Sequence, residues 1–184
     1  MKLHTTLFIV AIACCSLVAN AQQDAPRIYQ MPAKWLKLDA GRFTIEHPDS
    51  WLQDVSGDAG TTFFVHTPLS DEEDSFTDNI NLLEQVVGPE HAQLDAYVEM
   101  SIGNIPVFFT NSNIIKKEKK KLNKRDFYML EYTGDLNGFT LHFIQYITML
   151  DGKAVILTFT AQPRDFDYYK EAAVKVMNSF KINS

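Results

Sequence analysis

Hydrophobic and polar residues alternate along much of the chain, and this period of two predicts a protein built mainly from β-strands. Phe43 and Ile45 carry the first strand, which a turn at residues 47–51 ends. Six more strands are predicted at residues 61–67, 79–87, 113–122, 126–133, 138–150 and 153–161. Asn137–Gly138 and Asp151–Gly152 supply the positive φ angles that tight hairpins require, so we expect the last three strands to form an antiparallel meander.

Two segments instead place apolar residues three or four positions apart, as one face of an α-helix requires. The first runs from Leu94 to Ile105 and is not expected to continue past Pro106; the second runs from Phe166 to Phe180, with Asp165 as its candidate N-cap. The predicted order is β-β-β-α-β-β-β-β-α. Since single-faced helices must cover a sheet, the fold class is α+β, an antiparallel sheet of six or seven strands sandwiched with two helices.

The N-terminus of the chain predicts export. Lys2 precedes an apolar run of about 12 residues, which is shorter than the roughly 20 needed to span a bilayer. Ala19-Asn20-Ala21 then forms a small-x-small cleavage site. We expect a periplasmic or secreted protein with no transmembrane segment. The domain organisation is a signal peptide at 1–21, a flexible leader at 22–34 and one domain at 35–184.

A second interpretation of the signal segment concerns its cysteines. Ala11-Ile12-Ala13-Cys14 loosely resembles a lipobox, so the alternative is a lipoprotein anchored through Cys14. Cys14 and Cys15 are the two cysteines of the chain. After cleavage at Ala21 the domain would therefore contain neither a disulfide nor a cysteine metal site.

The order and spacing of several motifs resemble the PsbP/DcrB-like group of exported α-β sandwich domains. The motifs are Phe43-x-Ile45-x-x-Pro48-x-x-Trp51, the helix start Leu94-Asp95-x-Tyr97, the aromatic meander and the helix end Asn178-Ser179-Phe180. They span residues 41–182. The resemblance implies the PsbP-type sandwich fold and an accessory or binding role without an established catalytic triad. A shared fold does not select a partner.

The strongest charge feature of the chain is a basic stretch at residues 116–125. Its seven basic residues are Lys116, Lys117, Lys119, Lys120, Lys121, Lys124 and Arg125. A strand cannot bury so many lysines on either face, so we expect an edge strand or a solvated ribbon. Two interpretations stay open: a solvated edge that discourages edge-to-edge pairing, or a docking face for an anionic surface or an acidic partner. The formal charge of −6 and the lack of interleaved aromatic residues argue against nucleic-acid binding.

Other candidate chemistry is less specific. An acidic loop is interpreted as a solvated loop, with calcium or a basic partner as alternatives, although it lacks EF-hand spacing; its members are Asp71, Glu72, Glu73, Asp74 and Asp78. The histidines after the signal are scattered singly, so no metal site is predicted; they are His47, His66, His91 and His142. No catalytic motif is present, and a serine triad would have to assemble from distant residues.

We therefore predict a monomeric, non-enzymatic exported accessory or binding domain that needs no cofactor and binds an envelope protein or an anionic surface. One aromatic sheet face is expected to form the core, with a ligand pocket as the alternative; it comprises Tyr128, Tyr132, Phe139, Phe143, Tyr146 and Phe159. The alternative functions are a carrier of a small apolar ligand and a hydrolase whose site is assembled from distant residues.

Overall fold

A seven-stranded antiparallel sheet forms the centre of the structure, which is a computed structural model that describes residues 29–69 and 76–183. The predicted signal peptide lies outside the described residues. The elements are β1 (Trp35–Ala40), β2 (Phe43–Pro48), β3 (Leu52–Asp54), β4 (Thr61–His66), β5 (Asn79–Val86), α1 (Leu94–Phe108), β6 (Thr110–Leu122), β7 (Arg125–Leu136), β8 (Phe139–Leu150), β9 (Lys153–Ala161), α2 (Pro163–Asn178) and β10 (Lys181–Ile182).

The strand order in the large sheet is β3-β4-β5-β9-β8-β7-β6, and every pair is antiparallel. Strands β6 to β9 follow one another through short turns, which confirms the meander. Asn137 and Asp151 have φ angles of 52° and 49°, and the glycines after them are also positive. These turns therefore use the left-handed conformations that the sequence predicted.

Helices α1 and α2 cover opposite faces of the large sheet. Buried residues of α1, among them Tyr97 and Val98, pack with Tyr132 and Phe143. The apolar face of α2 packs with Tyr146, Phe159 and their neighbours. The predicted α+β sandwich is thereby confirmed. The expectation of one aromatic face is wrong, because two hydrophobic cores divide those residues between opposite sides of the sheet.

A second, small sheet, β1-β2-β10, was not predicted. Its strand β2 pairs with β1 on one side and with the two-residue β10 on the other. The short strand β3 also escaped prediction, since three residues are too few to show a period of two. In β1 the alternation is weak because only Leu38 is buried.

Both helix boundaries differ from those predicted. Helix α1 continues through Pro106 to Phe108. Pro106 lacks the N–H that would bond to Ile102, but the N–H of Phe109 still donates to the carbonyl of Ile105 and closes the last turn. The N-cap of α2 is Gln162, and Asp165 lies buried in the first turn instead of capping it. The backbone N–H of Gln162 donates to the Asp78 carboxylate at 3.1 Å, so a distant acid supports this helix start.

Residues before β1 take part in the packing. Trp51 is 2% exposed, and its indole N–H donates to the hydroxyl of Tyr29 at 3.1 Å. Met31 also packs against the α2-side core. Tyr29 and Met31 therefore belong to the packed structure, although the sequence assigned them to a flexible leader.

Candidate interaction surface

Five residues of the basic stretch, lysines 116, 117, 119, 120 and 121, lie on β6, the last strand of the large sheet. Lys124 lies in the β6–β7 turn, and Arg125 is the first residue of β7. The predicted edge position is thus confirmed. None of the 13 residues of β6 is buried, whereas eight of the nine residues of the central strand β9 are. Both faces of β6 therefore present side chains to solvent. We refer to the seven basic residues at 116–125 as the lysine edge.

On the α1 side, three lysines of β6 meet carboxylates that other elements supply. Lys117 binds Glu99 of α1. The Nζ of Lys119 lies 3.0 Å from the Oδ1 of Asp95, also on α1. Farther along, the Nζ of Lys121 lies 2.6 Å from Asp126 of β7. Helix α1 thus places its acids along one row of the lysine edge.

A hydroxyl group strengthens the contact at Asp95. The hydroxyl of Tyr128 donates to Asp95 at 2.8 Å, and this bond, followed by the bond from Lys119, holds the pKa of Asp95 below its ordinary value. The same carboxylate raises the pKa of Lys119, with Tyr128 adding to the effect. Both groups are exposed, so solvent screens the pair and little stability depends on it.

On the α2 side, β6 presents Lys116, Glu118 and Lys120. Lys116 and Glu118 form an ion pair of 2.6 Å within the strand. The ammonium of Lys120 lies 3.9 Å from the ring centroid of Tyr146 and donates to the Oδ1 of Asn178 at 2.9 Å. Partial burial lowers the pKa of Lys120. On this side β6 itself carries charges of both signs, whereas on the α1 side the acids come from α1 and β7.

The β6–β7 turn closes the lysine edge beside an open depression. Asn123 and Lys124 occupy the two turn positions with φ angles of 51° and 68°. Lys124 and Arg125 line a depression of about 510 Å³ between this turn and the start of α1, and a neighbouring one of about 360 Å³ includes Lys119. Within the described residues, Lys120, Lys124 and Arg125 have no carboxylate at ion-pair distance. All seven predicted site residues thus belong to one continuous surface.

Other candidates from the sequence are not brought together with this surface. Residues 71–74 of the acidic loop lie outside the described residues, and Asp78 is 2% exposed rather than solvated. Ser56 accepts the backbone N–H of Asp58 at 3.3 Å, which is a turn contact. Within the part of the chain that the structure describes, no group of three His, Cys, Asp or Glu residues is placed to hold a metal ion.

One charged cluster lies beneath α2. Glu131 is 8% exposed. Its Oε1 accepts from Lys170 at 3.1 Å and lies 3.0 Å from the Nε2 of His142. Burial lowers the pKa of His142, although Glu131 opposes this shift. His142 is therefore a strand histidine whose ring is held by a hydrogen bond to Glu131.

Sequence reasoning missed the acids that face the lysine edge. Asp95 and Glu99 are separated from the lysines by 18 residues or more, and only folding brings α1 alongside β6. The contact between Lys121 and Asp126 could have been predicted, because the two residues lie directly opposite each other in the β6–β7 hairpin.

Comparisons with known proteins agree with this architecture. The PsbP family model matches residues 30–182. No curated protein sequence is significantly similar to the chain. Among the described residues, no helix is long and apolar enough to cross a membrane.

Three solved structures illustrate the shared fold. PA94 from Pseudomonas aeruginosa, a protein of unknown function described as a putative regulator, is 16% identical with a TM-score of 0.57, over 79% of this chain and 94% of that one. Cyanobacterial PsbP from Synechocystis is 17% identical with a TM-score of 0.55, over 81% and 91%. LpqN of Mycobacterium tuberculosis, described as involved in cell envelope biogenesis, is 14% identical with a TM-score of 0.54, over 82% and 91%.

Proposed function

The chain belongs to the PsbP family, and we propose that it is an exported, non-enzymatic accessory domain that docks onto an acidic partner protein through the lysine edge. The observation that carries this proposal is the position of five lysines on an exposed edge strand with both faces open to solvent, continued by Lys124 in the next turn and Arg125 at the start of β7. Such a surface attracts an acidic partner over long range and sets its orientation.

The arrangement of charge favours a protein over a lipid surface. A membrane is a plane and engages cations that point in one direction. Cations of the lysine edge point to both sides of the sheet, and lysines 117, 119 and 121 are interleaved with acids of α1 and β7. A mixed pattern of this kind is complementary to a partner with its own ordered charges.

Export and an envelope location are part of the same proposal. The signal-like first 21 residues support it, and so does the fold shared with LpqN, which is described as involved in cell envelope biogenesis. Intact mass of the exported protein tests it. An N-terminus at Gln22 is expected, and an acylated N-terminus at Cys14 would replace the released form with a lipoprotein.

The carrier and hydrolase alternatives receive no comparable support. Ligand pockets are enclosed and mostly apolar, whereas the 510 Å³ depression is open and its lining includes Lys124, Arg125 and Asp126. A smaller cavity of about 100 Å³ beside Phe127 and Phe180 is too small for a lipid chain. A hydrolase of this kind needs a serine paired with a base, whereas Ser56 accepts the backbone N–H of Asp58 in a turn.

Charge removal tests the docking function. Lys116, Lys117, Lys121 and Lys124 are replaced together by glutamine, and binding of poly-L-glutamate and of phosphatidylglycerol vesicles is titrated at low and high ionic strength. We expect the variant to bind poly-L-glutamate at least about tenfold more weakly at low salt. High salt should weaken binding by the wild type until its affinity approaches that of the variant.

A matched variant removes the same charge elsewhere. Lys34, Lys37, Lys175 and Lys181 are exposed and lie off the lysine edge, so their replacement by glutamine should leave binding within about twofold of the wild type. Equal losses of binding in the two variants would show that only the net charge of the protein matters, and would overturn the proposal. Stronger binding to vesicles than to the polypeptide would assign the lysine edge to a membrane surface instead.

A further inference from the structure

The outer side of β6 carries backbone groups that no described strand uses. Leu122 and Arg125 flank the two-residue turn and face each other in the register. In such a hairpin the flanking residues exchange both backbone hydrogen bonds, and bonding then alternates along the strand. Every second residue of β6, counted back from Leu122, therefore bonds to β7, and the residues between them direct their N–H and C=O groups outward.

The outward-facing positions are Lys117, Lys119 and Lys121. Their partners in the register are Leu130, Tyr128 and Asp126. Leu130 and Tyr128 pair with Gln145 and Ile147 of β8, and the carbonyl of Asp126 accepts the hydroxyl of Thr148 on β8 at 2.8 Å. Three N–H donors and three C=O acceptors thus point away from the sheet. They provide up to six hydrogen bonds for an additional strand.

These same three residues form the row on the α1 side, since alternate side chains share a face. Each meets an acid. Lys119 and Asp95 are 64% and 66% exposed, and Lys121 and Asp126 are both 70% exposed. Lys117 is half-buried at 32%, although its partner Glu99 is 66% exposed. Exposed pairs exchange partners at little cost. Carboxylates of an incoming strand can therefore replace or share these contacts.

The usable part of the edge has a defined length. Register shifts fall between Thr110 and Asn113 and between Ile114 and Lys116, and Asn111 has a φ angle of 50°. Bulges of this kind twist an edge and interrupt pairing. The regular segment therefore runs from Lys116 to Leu122, a span of roughly 20 Å.

We propose that an extended acidic segment of a partner protein adds to β6 as an antiparallel strand, with carboxylates at every second position opposite Lys117, Lys119 and Lys121. This inference rests on the proposed docking function and specifies how the partner binds to the lysine edge. A second copy of β6 is not the occupant, because lysines would then face lysines across the new pair. Charge thus excludes self-association while admitting a strand of opposite sign.

The test uses synthetic peptides and the mature protein. The probe is acetyl-Thr-Glu-Thr-Glu-Thr-Glu-Thr-amide, and a peptide of equal composition with its three glutamates in one block is the control. At saturation with the alternating peptide, amide hydrogen exchange should slow at Lys117, Lys119 and Lys121. Exchange at Lys116, Glu118 and Lys120, whose amides already bond to β7, should change little.

Backbone methylation of the probe separates strand addition from charge attraction. In the proposed register the glutamate N–H groups face β6 and the threonine N–H groups face away. Methylation of the three glutamate nitrogens should weaken binding by about tenfold or more, and methylation of three threonine nitrogens by less than about threefold.

The outcomes distinguish this inference from the proposed function. Equal binding of the block peptide, equal effects of the two methylation patterns, or unchanged exchange at the three outward amides would each overturn strand addition while leaving charge-based docking intact. Failure of every acidic peptide and of poly-L-glutamate to bind at low salt would overturn both. A dimer of the unliganded protein that forms through β6 would also contradict the inference.

Discussion

The two strands β6 and β9 belong to one sheet but have opposite surroundings. Strand β9 lies between β5 and β8 and has α1 and α2 above and below it, so that its residues fill both hydrophobic cores. Strand β6 pairs on one side with β7, and none of its residues is buried. In this fold the centre of the sheet holds the domain together, and its β6 edge is exposed to solvent.

The difference follows from the number of neighbours that each strand has. A central strand satisfies its backbone on both sides and buries both faces, so packing constrains nearly every side chain. The backbone of an edge strand is satisfied on one side only, and its side chains lie beyond the helices. Lysines are therefore tolerated along β6, where they also suppress unwanted pairing.

The largest expected effect comes from truncation at the centre. Phe159 of β9 is fully buried, and its replacement by alanine should lower the free energy of unfolding by about 3–5 kcal/mol. Ile115 of β6 is 49% exposed, and the corresponding Ile115→Ala should lower it by less than about 1 kcal/mol. Urea unfolding measures both variants. Similar losses of stability in the two variants would show that β6 contributes to the core, and would contradict the contrast drawn between β6 and β9.

Strand β7 marks the border between the two environments. A Cβ at Gly134 would lie 2.6 Å from the Cβ of buried Phe109, so Gly134→Ala should destabilise the domain by about 1–3 kcal/mol. Gly103 of α1 has no atom near the corresponding position, and Gly103→Ala should be neutral or stabilising by up to about 1 kcal/mol. Thermal unfolding shows whether Gly134→Ala is the more destabilising of the two substitutions. If Gly134→Ala has no effect on stability, β7 accepts substitutions as readily as the edge strand β6.

Charge removal at the edge should affect stability little. Replacement of Lys116, Lys117, Lys121 and Lys124 by glutamine should change the free energy of unfolding by less than about 1 kcal/mol, because exposed ion pairs contribute little. Urea unfolding at low and moderate salt checks this, with the Lys34, Lys37, Lys175 and Lys181 variant as control. A loss as large as that of Phe159→Ala would mean that the lysine edge is structural.

The smallest effect concerns pH. Between pH 7 and pH 5 the lysines stay charged and most carboxyl groups stay ionised, so a stability change in this range comes mainly from histidines. Burial lowers the pKa of His142 in the fold, so the unfolded chain binds the proton more readily, and stability should fall as the pH drops below the ordinary value of about 6.5. Glu131 and Asp167 partly oppose this shift, and Lys170 adds to it.

Urea unfolding at several pH values between 7 and 5 tests this. His142→Asn should reduce the decline, and His66, whose pKa burial also lowers, should account for part of the remainder. The lysine-edge variant should show the same decline as the wild type. An unchanged decline in His142→Asn would assign the pH dependence to other groups.

Local sequence patterns were sufficient to predict much of the fold. Alternation predicted the four long strands after α1, and the positive-φ residues Asn137 and Asp151 predicted their hairpins. These features depend on neighbours in the chain, so the sequence carries them directly. Strands β1, β3 and β10 were missed because they are stabilised by partners from distant segments rather than by their own pattern.

The sequence by itself determined that a run of lysines must lie at an edge, because an alternating strand cannot bury charges on either face. Tertiary structure decided which acids meet those lysines, since Asp95 and Glu99 come from a helix that packs beside β6. It also divided the aromatic residues between two cores. Only the register of β6 on β7 decided that the backbone of Lys117, Lys119 and Lys121 faces outward, since hydrogen-bond direction depends on pairing and not on composition.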